Sequence, residues 1–305
     1  MDRHPASSPL AAPGLTVRGR TLAWGERTYV MGIVNVTPDS FSGDGLLTSS
    51  LGRLALQTII SQALRQQAEG ADILDVGGES TRPGSIPVPA DVEIDRVVPA
   101  IRALRAETDV PISIDTSKAA VVSAALEAGA DIVNDVWGLR LDPDLPQVVA
   151  ASGAPVIIMH NRSRPKDAQQ EQRLGGRYVG VVYQDLIGDI AAELAEQVAL
   201  AREAGIAPER IIIDPGIGFG KTVSQNLELM RRLGELRSLG LPLLIGPSRK
   251  SFIGYTLNLP PEERIEGTLA AIGVAMMQGA ANIVRVHDVA PAVRFCRMLD
   301  AILHA

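Results

Sequence analysis

Ile211-Ile212-Ile213-Asp214 sets three β-branched apolar residues against one carboxylate, and the same arrangement recurs along the chain. The run 30–34 ends on Asn35, 73–74 on Asp75, 111–114 on Asp115 and 132–133 on Asn134. The run 156–159 ends on His160, 243–245 leads to Ser248-Arg249-Lys250, and 283–284 opens onto Arg285 and His287. Strand-length apolar runs without polar alternation read as strands buried on both faces, the mark of a parallel sheet sheathed in helices. Eight such runs, most separated by amphipathic stretches, match the count of a (β/α)8 TIM barrel. In that fold the active site gathers at the C-terminal strand ends, where these polar residues fall.

An internal echo supports repetition. Gly70-Ala71-Asp72-Ile73, Gly129-Ala130-Asp131-Ile132 and Gly279-Ala280-Ala281-Asn282-Ile283 each close a helix and start a strand, and Gly153, Gly205 and Gly240 also fall shortly before strands. Helices are expected over 51–69, 92–107, 184–204, 264–278 and 290–303. In the third, Leu186, Ile190, Leu194, Val198 and Ala201 form a core-facing stripe. A doubly wound open sheet also alternates strand and helix, but it concentrates ligand residues at one switch point. Polar residues on almost all eight strands favour closure. Residues 1–14 are expected to be a flexible tail, 15–22 a short β-hairpin, and 15–305 one barrel domain. The connections 36–50 and 77–89, after the first two barrel strands, are long and rich in Gly, Ser, Pro and Thr. Such loops are commonly functional.

Bulk composition narrows the partners. Hydrophobic residues make up 46% but aromatics only 3%, so the core must be aliphatic. Net charge is −6 with no Lys/Arg block, which argues against nucleic acid or an anionic membrane and requires local basic residues to hold any anionic substrate. The single cysteine, Cys296, cannot form an internal disulfide and reads as a packing residue. No apolar stretch reaches the roughly 18 residues of a membrane helix, and 1–14 has no signal-peptide core. A cytoplasmic protein is expected.

The turn 214–222, Asp214-Pro215-Gly216-Ile217-Gly218-Phe219-Gly220-Lys221-Thr222, resembles a phosphate loop but fails its spacing, because a Walker A motif needs glycine where Pro215 stands. It reads instead as a strand-to-helix loop whose glycines admit a flat ligand close to the backbone. A carboxylate after three isoleucines is costly unless it is paired or bound. On a barrel, Asp115, Asn134, Asp214 and Lys250 project toward one mouth. Together they offer acceptors for adjacent N–H groups and a donor for a carbonyl, which suits a pterin or a guanine-like ring. Buried ion pairs bracing the barrel are the alternative. Arg82, Arg285 and His287 form an anion-binding set, and Asn35 could ligate Mg2+ that keeps waters and borrows phosphate oxygens. Four histidines without paired spacing argue against zinc. Ser251 stands where a helix should begin, either at a carboxylate site or as a simple N-cap. For His160 a structural or pocket-lining role is favoured over catalysis.

These segments resemble the dihydropteroate synthase family. The resemblance rests on Asn35-Val36-Thr37-Pro38-Asp39-Ser40-Phe41-Ser42, Asp75-Val76-Gly77-Gly78-Glu79-Ser80-Thr81-Arg82-Pro83-Gly84 and Ile114-Asp115-Thr116 with Lys118. It continues through Ile132-Val133-Asn134-Asp135, the 214–221 turn, Ser248-Arg249-Lys250-Ser251 and Arg285-Val286-His287-Asp288, over about 15–303. It implies condensation of (7,8-dihydropterin-6-yl)methyl diphosphate with 4-aminobenzoate, releasing pyrophosphate, with Mg2+ as cofactor, sulfonamide-type inhibitors and a homodimer. By resemblance, Asp115, Asn134, Asp214, Lys250, Met159 and Gly216 would hold the pterin. Thr81, Arg82, Asn35, Arg285 and His287 would hold the diphosphate, with Asn35 on the metal. Phe41, Pro83, Phe219 and Ser251 would border aminobenzoate. Arg82, Lys250, Arg285 and His287 would act in catalysis. One departure is Phe41-Ser42-Gly43-Asp44-Gly45, where many members have Phe-Ser-Asp-Gly-Gly, so the role of Asp44 stays open. Two alternatives share the barrel: a methyltetrahydrofolate-binding methyltransferase, which needs no diphosphate arginines, and a silent pterin-phosphate binder, which would typically lose loop residues present here.

Overall fold

The structure, a computed structural model, describes residues 13–36, 50–81, 85 and 87–305. The predicted tail lies almost wholly outside these residues, as do most of the first long loop and part of the second. The chain opens with an antiparallel hairpin, β1 (Leu15–Val17) and β2 (Arg20–Leu22), paired Leu15↔Leu22. Barrel strands follow as β3 (Tyr29–Asn35), β4 (Ile73–Gly77), β5 (Ile112–Asp115), β6 (Ile132–Asp135) and β7 (Val156–Met159). A second small hairpin, β8 (Ala168–Gln169) with β9 (Arg177–Tyr178), precedes β10 (Ile211–Asp214), β11 (Leu244–Ile245) and β12 (Ile283–Val286). The eight long-range strands pair in parallel in the order β10-β7-β6-β5-β4-β3-β12-β11. A parallel bridge Ile213↔Leu243, with Ile213 N–H donating to Pro242 O at 3.0 Å, joins the two ends. The sheet is closed, which rules out the open-sheet alternative.

Helices α1 (Ser50–Ala68), α2 (Ala90–Glu107), α3 (Ala119–Ala128), α4 (Leu145–Ser152), α5 (Leu186–Glu203), α6 (Val223–Arg232), α7 (Ser251–Leu257), α8 (Ile265–Met277) and α9 (Val289–Leu303) intervene. Each of the five expected helices lies within two residues of its predicted bounds. The α5 stripe Leu186, Ile190, Leu194, Val198 and Ala201 is buried as the spacing requires.

Two apolar layers result from strand alternation. One lies between strands and helices. The other fills the barrel interior with Met31, Ile73, Ile132, Ile157, Ile212, Leu244 and Ile283, and the first hairpin adds Leu15, Val17 and Leu22 to it. The hairpin therefore packs its apolar face against the N-terminal half of the strands, and the C-terminal half is left for polar side chains.

One long connection escaped the sequence reading. The 160–185 segment between β7 and α5 carries β8 and β9, whose two-residue strands are too short for periodicity to reveal. It is anchored from outside: the buried Arg264 donates to Leu174 O at 3.0 Å, and Arg173 donates to Asn258 O at 3.0 Å.

Candidate active site

Along each strand the side chain two residues past the interior apolar layer points to the same side. Ile73 is followed by Asp75, Ile132 by Asn134, Ile157 by Met159, Ile212 by Asp214 and Ile283 by Arg285. This period brings the predicted polar set to one barrel mouth.

Three strands form its ionic face. The Arg285 guanidinium donates to Asp75 Oδ2 and to Asp115 Oδ2, each at 2.6 Å, and Asn134 Nδ2 donates to Asp75 Oδ2 at 3.2 Å. Burial alone would lower the Arg285 pKa, but the two carboxylates outweigh it and hold its charge. Burial raises the Asp115 pKa, against the pull of Arg285. The expected division between pterin and diphosphate residues is thus crossed in space, since Arg285 touches Asp115 directly. The alternative reading of bracing ion pairs is realised in part. Yet Asp75 Oδ1, Asp115 Oδ1 and Ser113 Oγ are buried with no hydrogen-bond partner among the described residues. Such atoms suit a polar ligand better than a closed brace.

Asp214 ends β10 and starts the glycine turn. Its Oδ1 accepts Gly216 N–H at 2.7 Å, and burial pushes its pKa up to about 6 against that bond and the charges of Lys250, Lys221 and Arg285. Gly216 has φ +69°, and a Cβ there would collide with the His160 carbonyl oxygen. At Gly218, φ +81°, a Cβ would come within 2.8 Å of Lys250 Cδ. Both positions therefore demand glycine for close backbone approach. Lys250 Nζ sits 4.0 Å from the centre of the Phe219 ring, a cation–π contact that joins the turn to the loop after β11. Met159 is buried and packs with Phe219 and Val136.

The anion side is organised by Ser248, whose Oγ lies 3.0 Å from His287 Nδ1 and accepts His287 N–H at 3.1 Å. Burial and the charge of Arg285 push the His287 pKa down to about 3, so the ring is neutral near pH 7. Its neighbour Arg249 forms a two-point pair with Asp288 at 2.9 and 2.6 Å. Asn35 is exposed at the end of β3 and Thr81 is half-buried. Phe41, Arg82, Pro83 and Asp44 lie outside the described residues. Ser251 is the first residue of α7 and Lys250 precedes it in the cap position, so the simple N-cap role for Ser251 is not realised.

Two residues escaped the sequence reading. Asp75 was visible as an acid inside an apolar run, but only the fold shows that it binds both Arg285 and Asn134. Lys221 takes no role from the sequence once the turn fails the phosphate-loop spacing, yet it is 2% exposed beneath the turn. Asp135 illustrates the opposite case. It too ends a strand, but Trp137 N–H at 2.9 Å, Leu139 N–H at 2.5 Å and the Ser117 hydroxyl occupy its acceptors, so they serve the neighbouring loops.

Residues 31–287 match the family described as pterin binding enzyme. The chain is similar to the dihydropteroate synthase of Synechocystis sp., 48% identical over 303 residues and spanning 99% of each chain. With that of Bacillus subtilis it shares 44% identity over 93% of this chain and 91% of the relative. The structure of Xanthomonas albilineans dihydropteroate synthase with 4-aminobenzoic acid aligns at TM-score 0.83 and 41% identity, covering 97% of this chain and all of that one. The Yersinia pestis enzyme with a sulfonamide drug complex also aligns at 0.83 and 41%, covering 96% and 100%.

Proposed function

The chain belongs to the pterin-binding enzymes and, among them, to the dihydropteroate synthases, and from that membership we propose how its own residues perform the family's condensation. Asp115, Asn134, Asp214 and Lys250, with Met159 and Gly216, hold the ring of (7,8-dihydropterin-6-yl)methyl diphosphate. Thr81, Arg82, Arg285 and His287 face the diphosphate, and Phe41, Pro83, Phe219 and Ser251 border 4-aminobenzoate. The observation that carries this reading is the buried set Asp115, Asn134 and Asp214 at one mouth, with Asp115 Oδ1 and the adjoining Asp75 Oδ1 unpartnered among the described residues, which matches the adjacent N–H donors of a pterin edge. Methyltetrahydrofolate methyltransfer gives way to the family membership, and diphosphate recognition needs the basic residues present here.

The reaction breaks the bond between the pterin methylene and the diphosphate oxygen, whose electron pair leaves with pyrophosphate. The electron-rich ring carries the resulting positive charge, and the aniline nitrogen adds to the methylene and then sheds a proton. No activated protein nucleophile is required. The chain's task is preorganised stabilisation of the leaving charge. Arg285 keeps its charge through the acids behind it. Neutral His287, with Nδ1 turned to Ser248, can present an Nε2–H to a phosphate oxygen. Lys250 and the glycine turn set the ring plane.

Mg2+ fits this chemistry. The described residues contain no cluster of three or more His, Cys, Asp or Glu that could cage a metal, whereas Asn35 offers one neutral oxygen donor. That suits an ion that keeps waters and takes other ligands from the substrate. When bound, it would neutralise charge building on the departing diphosphate. Exposed apolar residues on the outer helices, Leu227 on α6, Val274 and Met277 on α8 and Met298 on α9, support a homodimer through that side. The transferase class, a cytoplasmic location and sulfonamide binding at the aminobenzoate site complete the proposal. No described helix is long and apolar enough to cross a membrane.

The decisive assay supplies the pterin diphosphate, Mg2+ and 4-aminobenzoate and measures pyrophosphate and dihydropteroate. Product that depends on aminobenzoate is expected. Its absence from folded protein would overturn the assignment.

A further inference from the structure

A buried cation that the condensation itself does not use lies beneath the 214–221 turn. Lys221 is almost fully enclosed, and an ammonium has three donors to satisfy. All three find acceptors: His160 Nδ1 at 3.0 Å, Gly216 O at 2.9 Å and Phe219 O at 3.1 Å. Accepting at Nδ1 leaves the proton of His160 on Nε2, which lies 3.1 Å from Glu193 Oε2. Behind it, Arg162 donates to Glu193 Oε1 at 2.6 Å and stacks over Tyr183 at 4.2 Å, and Tyr183 donates its hydroxyl to Gly220 O at 2.9 Å. Lys221 and Tyr183 thus bind three carbonyls of one turn, and residues from α5 and the 160–185 segment back them.

We propose that Lys221 is a positioning residue for the pterin: its clasp on His160, Gly216 and Phe219 sets the turn that aims Asp214 and Lys250. This rests on the assignment of Asp214 to the pterin. The same glycine whose carbonyl binds Lys221 gives its N–H to Asp214 Oδ1, so the clasp reaches the carboxylate through one residue. The same phenylalanine whose carbonyl binds Lys221 carries Lys250 on its ring, so the clasp also reaches the second pterin residue. His160 ties the assembly to the barrel, because its backbone N–H donates to Asp214 O at 2.9 Å. Burial lowers the Lys221 pKa to about 7, against the pull of Asp214 and Glu193, so the acids around it help keep the clasp charged.

A lysine that only stabilised the fold would change the melting midpoint and leave the affinity of folded protein intact. The test separates these roles by calorimetric titration of 6-hydroxymethylpterin into Lys221→Met, His160→Leu, His160→Asn and Asp214→Ala, each checked for native circular dichroism. Unsatisfied turn carbonyls should weaken binding by Lys221→Met roughly ten- to a hundredfold and by His160→Leu roughly tenfold. The amide oxygen of His160→Asn can replace Nδ1 as acceptor, so this variant should stay within about threefold of the parent. In turnover, Lys221→Met should raise the pterin KM more than it lowers kcat. Wild-type affinity in folded Lys221→Met would overturn the proposal. If that variant does not fold, equal losses in the two His160 variants would overturn it, and rescue by asparagine would support it. Retained affinity in Asp214→Ala would instead defeat the pterin assignment itself.

Discussion

The two halves of the barrel interior lie one inward step apart and are built on opposite principles. Toward the N-terminal end, Ile73, Ile132, Ile157, Ile212 and Ile283 pack with the first hairpin in an enclosed apolar layer. Two residues further on, the same strands present Asp75, Asn134, Met159, Asp214 and Arg285. The first layer gains from excluding water. In the second, burial works against charge: it raises Asp115 and Asp214 and lowers His287. Stability and recognition are therefore separated along the barrel axis, and neighbouring residues on one strand can be used to pull them apart.

The largest effect is expected from Asp214→Ala. It removes the acceptor pair of the pterin edge and should weaken pterin binding roughly a thousandfold, with an unchanged or higher melting midpoint. Titration beside thermal unfolding checks both, and a loss of stability without loss of affinity would break the contrast. Its counterpart is Ile212→Ala on the same strand. That cavity should cost about 2–4 kcal/mol of unfolding free energy in denaturant titrations while the folded protein keeps its pterin Kd. A large change in Kd would show that the two layers are not independent.

Acidity sharpens the same comparison. Asp214 titrates near 6 in the folded chain, above its ordinary value of 3.8, so the folded chain holds this proton more tightly than the unfolded one. Its contribution to stability is greatest below the unfolded pKa and is lost as pH rises through about 6. Pterin binding runs the other way, because a protonated acid cannot accept two N–H groups. Affinity measured between pH 7 and 5 should fall by up to about tenfold per unit below that pKa, and Asp214→Asn should lack the step at about 6 while keeping the one from Asp115, whose pKa burial raises to about 7. The smallest effect is expected from Ser251→Ala, a rise of about threefold in the KM for aminobenzoate with the pterin KM unchanged. An unaltered aminobenzoate KM would remove Ser251 from that subsite.

Much of this site was legible because a fully apolar run makes a terminal polar residue conspicuous. Asp115, Asn134 and Asp214 stood out for that reason, and the structure brings them to one mouth. Asp75 stood out equally but could not be told from Asp135, since both are strand acids. The difference lies in partners: two N–H groups of its own turn and the Ser117 hydroxyl fill Asp135, whereas Asp75 meets Arg285, 210 residues away, and its Oδ1 has no partner among the described residues. Lys221 carried no periodic signal, and its neighbours His160 and Glu193 come from other elements. The β8–β9 hairpin was missed because two-residue strands have no pattern to detect.

The sequence by itself determined the eight-strand repeat, the helix positions and the candidate polar residues, because burial on both faces leaves a local record in every strand. Closure through Ile213 and Leu243, the sharing of Arg285 between two acids and the clasp of Lys221 under the glycine turn were decided only by the tertiary structure. Each of these depends on which distant groups share one low-dielectric space, and no local pattern of residues encodes that distance.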